Sequence, residues 1–341
     1  MKRTSITRLV LLTSLVLASV AMTGLAWAQG DPAVPVGDHN ESRQQAREII
    51  DGHPGMDSAM RDRMRSNLER CVQYGMTGEE VHALFPGDQT HGMDHMEHML
   101  SMQDQVLGLA DGDLPIGPMM EKIMEGRMKN VPADRLEHVV NQTQHNIRNS
   151  HQMMMGAIEG GVQAPPTRTG MHNANSQLSH CLWDGLTEEG MDQIRERAMD
   201  RAHDGSCSTD DFVAACQAAT QFNHGGIHHD QAVQLAGEAM HRGYSASDMR
   251  TMGYMMMAGS GMEGQYAEMM NHMHGWIQEG VTLDGMTHHM IEGGWMGPAD
   301  MMGAGGSHGM DNMGMSGPGH DGGMHGDDDG GHNGGGHGGG M

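Results

Sequence analysis

The chain has 341 residues and a formal net charge of −24, from 20 Lys and Arg against 44 Asp and Glu. A charge of this sign repels a nucleic-acid backbone and attracts metal cations, so we exclude nucleic acid as a partner. The chain contains 40 Met and 25 His but only 3 Phe. No nucleophile–base pair or phosphate-binding glycine loop can be recognised, which argues against an enzyme.

Residues 1–28 predict a secretory signal peptide. Lys2 and Arg3 precede an apolar run, which ends at the cleavable pattern Ala26-Trp27-Ala28. Beyond it no run of 18 apolar residues occurs, so we expect a periplasmic or secreted protein without a transmembrane segment after cleavage. The alternative is an uncleaved anchor helix.

Residues 29–56 contain Pro, Gly and Asp, and they predict a linker with one short helix near residues 43–50. A helix then follows from about residue 57 to residue 75. Asp57 suits its N-cap, because an Asp side chain can accept from the first free backbone N–H groups. Gly75 suits the position just after the helix, where a left-handed backbone is common.

Thr77-Gly78-Glu79-Glu80 predicts a capping box that begins the next helix, and Pro86-Gly87 ends it. Further helical patterns run over about 94–109, 117–129 and 132–159. Because no alternating strand pattern occurs, the sequence predicts an all-α fold.

Three segments of the chain recur later in the same order. The matching pairs are 67–77 with 177–187, 125–132 with 238–245, and 158–162 with 277–281. Such order predicts an internal duplication, with tandem helical modules at 57–164 and 172–285. The alternative is chance similarity among helical segments.

Four cysteines occur, at Cys71, Cys181, Cys207 and Cys216. In an exported chain an even number favours disulfides, although the sequence leaves their connectivity open. No C-x-x-C motif is present, so a thioredoxin-like redox pair and haem c attachment are excluded.

The segment from His91 to Met102 is dense in possible metal ligands, because seven of its twelve residues are His or Met. On a helix His91, His95, Met99 and Met102 form one stripe, and His98 lies beside Met102. Side chains at these spacings are neighbours and can converge on one ion. The alternative is an amphipathic helix with Met in the core and His on its border.

A second cluster spans Met252 to Trp276, and in it Met269 with Met273 and Met270 with His274 are i,i+4 pairs. Core packing is the favoured interpretation here, and ligation is the alternative.

Residues 286–341 are rich in Gly, Asp, His and Met, and they lack apolar periodicity. This composition predicts a disordered tail. Methionine would have no core to fill there, so packing does not explain why methionine is frequent. The remaining explanations are metal ligation, scavenging of oxidants, and drift in a low-complexity segment. The candidate ligands are Met310, Met313, His320 and His325. Thioether with imidazole suits Cu(I) and Ag(I), whereas imidazole with carboxylate also suits Cu(II), Ni(II) and Zn(II).

The segment His91-Gly92-Met93-Asp94-His95-Met96-Glu97-His98-Met99 and the tail resemble the Met/His-rich segments of periplasmic copper- and silver-resistance proteins, over about a fifth of the chain. The resemblance implies metal sequestration or delivery outside the cytoplasm, with a metal-handling protein of the periplasm or membrane as a partner. The leading hypothesis is a non-enzymatic protein that buffers, sequesters or delivers Cu(I), with Ag(I) as a mimic. The alternatives are a helical interaction module with Met-rich packing surfaces and a methionine-based oxidant sink.

Overall fold

The computed structural model describes residues 36–52, 56–85, 93–259 and 266–293. Within these ranges the chain forms thirteen α-helices and no β-strand, which confirms the all-α prediction. In chain order they are α1 Val36–Gly52, α2 Ser58–Gln73, α3 Gly78–Leu84, α4 Met93–Asp111, α5 Gly117–Met128, α6 Ala133–Glu159, α7 Arg168–Trp183, α8 Glu188–Asp204, α9 Thr209–His224, α10 His229–His241, α11 Ala246–Gly259, α12 Tyr266–Glu279 and α13 Leu283–Glu292.

None of the helices in these ranges combines the length and the apolar character that a bilayer span requires. The predicted signal peptide lies outside the described residues, and so do residues 294–341 of the predicted tail.

Helix starts follow the local signals in the sequence. The Asp57 carboxylate accepts from the Met60 backbone N–H at 2.7 Å and caps α2. The Thr77 hydroxyl accepts from the Glu80 N–H at 3.3 Å, while the Glu80 carboxylate accepts from the Thr77 N–H at 2.6 Å. The predicted capping box is therefore confirmed. Gly75, just after α2, has φ +75°, as its predicted position requires.

Within the segment predicted as a linker, residues 36–52 form α1, which is longer than the short helix expected near 43–50. Ala46 and Ile50 are i,i+4 neighbours and are both buried. Both Arg43 and Arg47 of α1 contact the Glu69 carboxylate of α2. Helix α1 therefore packs as part of the first core, because its apolar pair and its basic pair both find partners on neighbouring helices.

The buried apolar residues form two separate cores, one between residues 46 and 147 and the other between residues 154 and 290. Helix α6 contributes to both, with Leu136 and Ile147 in the first core and Met154 in the second. The division between the cores therefore falls inside one continuous helix, and not at residues 165–171, which separate the predicted modules.

Polar contacts also join the two halves. The Lys122 ammonium of α5 lies 5.0 Å from the ring centroid of Trp183 on α7, within the range of a cation–π contact. The Arg168 Nε donates to the Asp113 carboxylate at 2.7 Å. The His145 Nε2 lies 3.1 Å from the Glu188 carboxylate.

Helices separated by 110 positions share their boundaries. Helix α7 begins and ends 110 residues after α2, and α8 begins 110 residues after α3. Cys71 and Cys181 each lie two residues before the last residue of their helices. Gly75 and Gly185, which follow these helices, both have positive φ. The internal duplication itself stays a prediction, for which superposition of the two halves is the direct test.

The predicted start of the tail at Met286 is wrong. Residues 286–292 belong to α13, whose start is capped by the Thr282 hydroxyl accepting from the Gly285 N–H at 3.3 Å. Met286 and Met290 are one helical turn apart and fully buried in the second core. The prediction failed because this short helix has only two buried positions, which are too few to show apolar periodicity beside a low-complexity segment.

Truncation at two positions tests this boundary. Removal of residues 294–341 should leave helical content and melting temperature nearly unchanged, because that segment has no apolar periodicity. Removal of residues 283–341 should lower the melting temperature clearly, since Met286 and Met290 would each cost about 2–5 kcal/mol on loss from a core. Circular dichroism melts of both variants make the comparison. Equal destabilisation by the shorter truncation would contradict the prediction.

Candidate functional site

The structure divides the predicted stripe on α4 into buried thioethers and half-buried imidazoles. Met99 and Met102 are fully buried in the first core. His95 and His98 are only partly buried, on the border of that core. His91 lies outside the described residues. The arrangement is that of an amphipathic helix, with Met in the core and His beside it.

A cation lies against the sulfur of Met99. The Arg127 Nη2 of α5 donates to the Met99 Sδ. Burial lowers the pKa of the Arg127 guanidinium, but an arginine remains charged in proteins. A positive charge beside the thioether opposes a metal cation at the same sulfur. Met99 therefore has a packing role and a hydrogen-bond partner that do not depend on metal.

The imidazole of His98 is held by a carboxylate from another helix. Its Nδ1 lies 2.5 Å from the Glu137 Oε2 of α6, and 34% of the His98 side chain is exposed. In the tautomer that donates from Nδ1, the lone pair lies on Nε2. Metal-ligating histidines commonly donate their second ring N–H to a carboxylate, which orients the ring and increases its basicity. The Glu137 carboxylate therefore orients the His98 ring in the way that histidines of metal sites are commonly oriented.

Two residues bear on how His98 could act. His95 lies three residues before it on α4, a spacing at which helical side chains are neighbours. Glu137 was missed at the sequence level, since no spacing along α4 points to it. Only the packing of α6 beside α4 brings the carboxylate to the imidazole.

The thioethers of the second cluster are also core residues. Met269 and Met273 are buried in the second core. His274 on the same helix is half-buried, and its Nε2 lies 3.1 Å from the Gln278 side-chain nitrogen. The side chain of Met270 is outside what the structure describes. The burial agrees with the core interpretation that the sequence favoured for this segment.

The predicted tail ligands Met310, Met313, His320 and His325 lie outside the described residues. In the described ranges, no group of three or more His, Cys, Asp or Glu is arranged to hold a metal ion. A metal site within the described ranges would therefore have at most two ligands of these four types and would need other donors to complete it.

All four cysteines are free thiols and buried, in contrast to the disulfides that the sequence favoured. Cys71 lies in the first core, whereas Cys181, Cys207 and Cys216 lie in the second. Burial raises the pKa of Cys71 and Cys181 to about 12 and that of Cys207 to about 11. Burial also raises the pKa of Cys216.

The raised pKa values predict thiols that do not react in the folded protein. At pH 8 a thiol with a pKa of 11 or more is ionised to about one part in a thousand or less, and the thiolate is the reactive form. We expect an aromatic disulfide reagent to modify none of the four in the native protein and all four in guanidinium chloride. Fewer than four reactive thiols after denaturation would show a disulfide. Rapid native reaction would show that a core opens readily.

Comparisons of the chain with known protein families, with curated proteins and with solved structures give no match. The function must therefore be inferred from the residues of this chain. His98 with Glu137 is the arrangement on α4 that metal sites use, and it lies within the segment richest in His and Met.

Proposed function

We propose that the protein is an exported, non-enzymatic metal-binding protein, which buffers, sequesters or delivers Cu(I) and binds Ag(I) with the same donors. The observation that carries the proposal is the His98–Glu137 pair, an imidazole oriented by a carboxylate in a segment where seven of twelve residues are His or Met. The net charge of −24 supports it, because such a field concentrates cations at the surface.

The proposed site uses imidazoles first. His95 and His98 are partly exposed and one helical turn apart, but the Nε2 of His95 is buried. An ion from solvent therefore meets His98 first, and His95 would join it through its other ring nitrogen or after rotation of its ring. Met99 and Met102 fill the core instead. Thioethers would come from the predicted tail, where Met310 is among the candidates. Cu(I) accepts both donor types, which makes it the ion best suited to this pair of donor sets.

Delivery requires a recipient, and we propose a metal-handling protein of the periplasm or membrane. A site made of two imidazoles holds an ion less completely than a closed four-ligand site, so exchange with a partner is feasible. Such a site suits buffering and transfer better than permanent storage.

The alternative is a helical interaction module with Met-rich packing surfaces. In the described ranges, however, most methionines pack inside the protein's own cores. The exposed large apolar side chains there are scattered over separate helices, and they are Tyr74, Met128, Met257 and Ile291. Scattered single residues do not form the continuous patch that a partner surface requires. The metal-binding proposal is therefore preferred.

Cu(I) competition titrations under reducing conditions test the proposal with matched variants. Replacing His95 and His98 by Gln should remove the tightest site of the described residues. Glu137→Gln should weaken it by about 10–100-fold, because the neutral amide no longer increases the basicity of the His98 ring. The control replaces Met99 and Met102 by Leu, which keeps the core volume, although Met99→Leu also removes the sulfur that accepts from Arg127 and should cost some stability. This control should bind Cu(I) as the parent does, and circular dichroism should show all variants folded.

Two outcomes would count against the assignment. Loss of the tightest site in the folded Met→Leu variant, with the His→Gln variant unaffected, would make the thioethers the ligands. If the parent chain binds Cu(I) no better than micromolar, the metal-binding proposal falls and the interaction module replaces it.

A further inference from the structure

The last two described helices carry a stack of aromatic rings. The ring centroid of His272 lies 5.8 Å from that of Trp276, and both residues belong to α12. The ring of His289, on α13, stacks on Trp276 with centroids 5.3 Å apart and an interplanar angle of 22°. The indole thus holds an imidazole that reaches it from another helix.

Trp276 is a fixed platform because it is anchored in the second core. Its side chain packs against that core, and its backbone carbonyl accepts from the Val281 N–H at 2.9 Å. Met286 and Met290, fully buried on α13, hold that helix in place. The exposed ring of His289 is therefore restrained before any ligand binds, which reduces the entropy cost of binding.

A second exposed imidazole lies next to His289. The ring centroid of His288 is 6.3 Å from that of His289. Its Nε2 lies 3.1 Å from the Glu292 Oε1, one turn later on α13. In the tautomer that donates from Nε2, the lone pair lies on Nδ1. This is the same imidazole–carboxylate arrangement that His98 makes with Glu137.

The separation of the two rings suits one shared ion. Two imidazoles that bind an ion with metal–nitrogen distances of about 2.0–2.1 Å have ring centroids roughly 5–6 Å apart, depending on the angle at the metal. The observed separation of 6.3 Å lies just above that range, so binding of one shared ion requires the two rings to move slightly closer together.

The electrostatics of this position favour a cation. His288 and His289 lie in the last turns of α13, which ends at Glu292. The C-terminus of a helix carries a partial negative charge from its terminal carbonyls, and it stabilises positive charge nearby. Glu292 adds a full negative charge beside the pair.

We propose that His288 and His289 form a binding site for a divalent first-row transition ion, with Cu(II) bound more tightly than Ni(II) or Zn(II). Trp276 restrains one ligand, Glu292 orients the other, and water completes the coordination. The two described thioethers of this helix are buried, so the exposed donors are nitrogen and oxygen, which suit Cu(II) better than Cu(I). The inference rests on the proposed metal-binding function and adds a site for the oxidised ion.

Trp276 supplies the measurement, because bound Cu(II) quenches a nearby indole. In the full exported chain carrying Trp183→Phe and Trp295→Phe, Trp276 is the only indole once the predicted signal peptide is removed. Titration with Cu(II) chloride should quench more than half of its fluorescence, and a chelator should restore it. Replacing both His288 and His289 by Ala should raise the Cu(II) concentration for half-quenching at least tenfold. His272→Ala is the matched control, since it removes an exposed imidazole from the same indole, and it should change that concentration less than twofold.

Equal quenching of the parent and the His288/His289 variant would overturn the site. If His272→Ala raises the Cu(II) concentration for half-quenching as much as the double replacement does, the choice of ligands is wrong. Circular dichroism establishes that all variants remain folded.

Cu(I) titration of the double variant separates this inference from the proposed function. If the parent chain binds Cu(I) but its quenching by Cu(II) does not depend on His288 and His289, only the proposed Cu(II) site is wrong. If Cu(II) quenching depends on the pair but the parent binds no Cu(I), the Cu(I) function falls and the Cu(II) site stands.

Discussion

Helix α6 is the constraint on which the described architecture depends. A single uninterrupted helix of 27 residues supplies apolar side chains to both cores, so neither core can shift without displacing part of the other. It also brings Glu137 to the imidazole of His98 and His145 to Glu188, and thus links the candidate site on α4 to the junction between the halves. Helix continuity, which local backbone hydrogen bonds maintain, therefore determines distances between groups far apart in sequence.

Methionine serves mainly as core material in the part of the chain that the structure describes. The protein has only 3 Phe, and Met takes the positions that larger apolar residues fill elsewhere. Its flexible thioether can fill irregular space between helices. The same property makes its role ambiguous at the sequence level, because a buried Met and a ligating Met can have identical spacing. Met99 shows the difference, since its sulfur contacts Arg127 within the first core.

Two described histidines that are half-buried or exposed acquire carboxylate partners in different ways. His288 and Glu292 are four residues apart on one helix, so their spacing alone makes the contact recognisable. His98 and Glu137 come from helices that meet only after folding. Both pairs orient an imidazole, which is the property that the proposed metal sites would use. The proposed metal binding and the observed core packing therefore involve different residue types on the same helices.

The sequence by itself determined the all-α class and the starts of α2 and α3. Asp57 and the Thr77–Glu80 capping box act through hydrogen bonds that span three residues, so distant parts of the chain do not alter them. Tertiary structure decided that Met99 and Met102 are buried, that α1 extends over residues 36–52, that residues 286–292 are helical, and that the four cysteines are free buried thiols. These outcomes depend on which neighbours cover each helical face, and helical periodicity specifies the face but not what covers it.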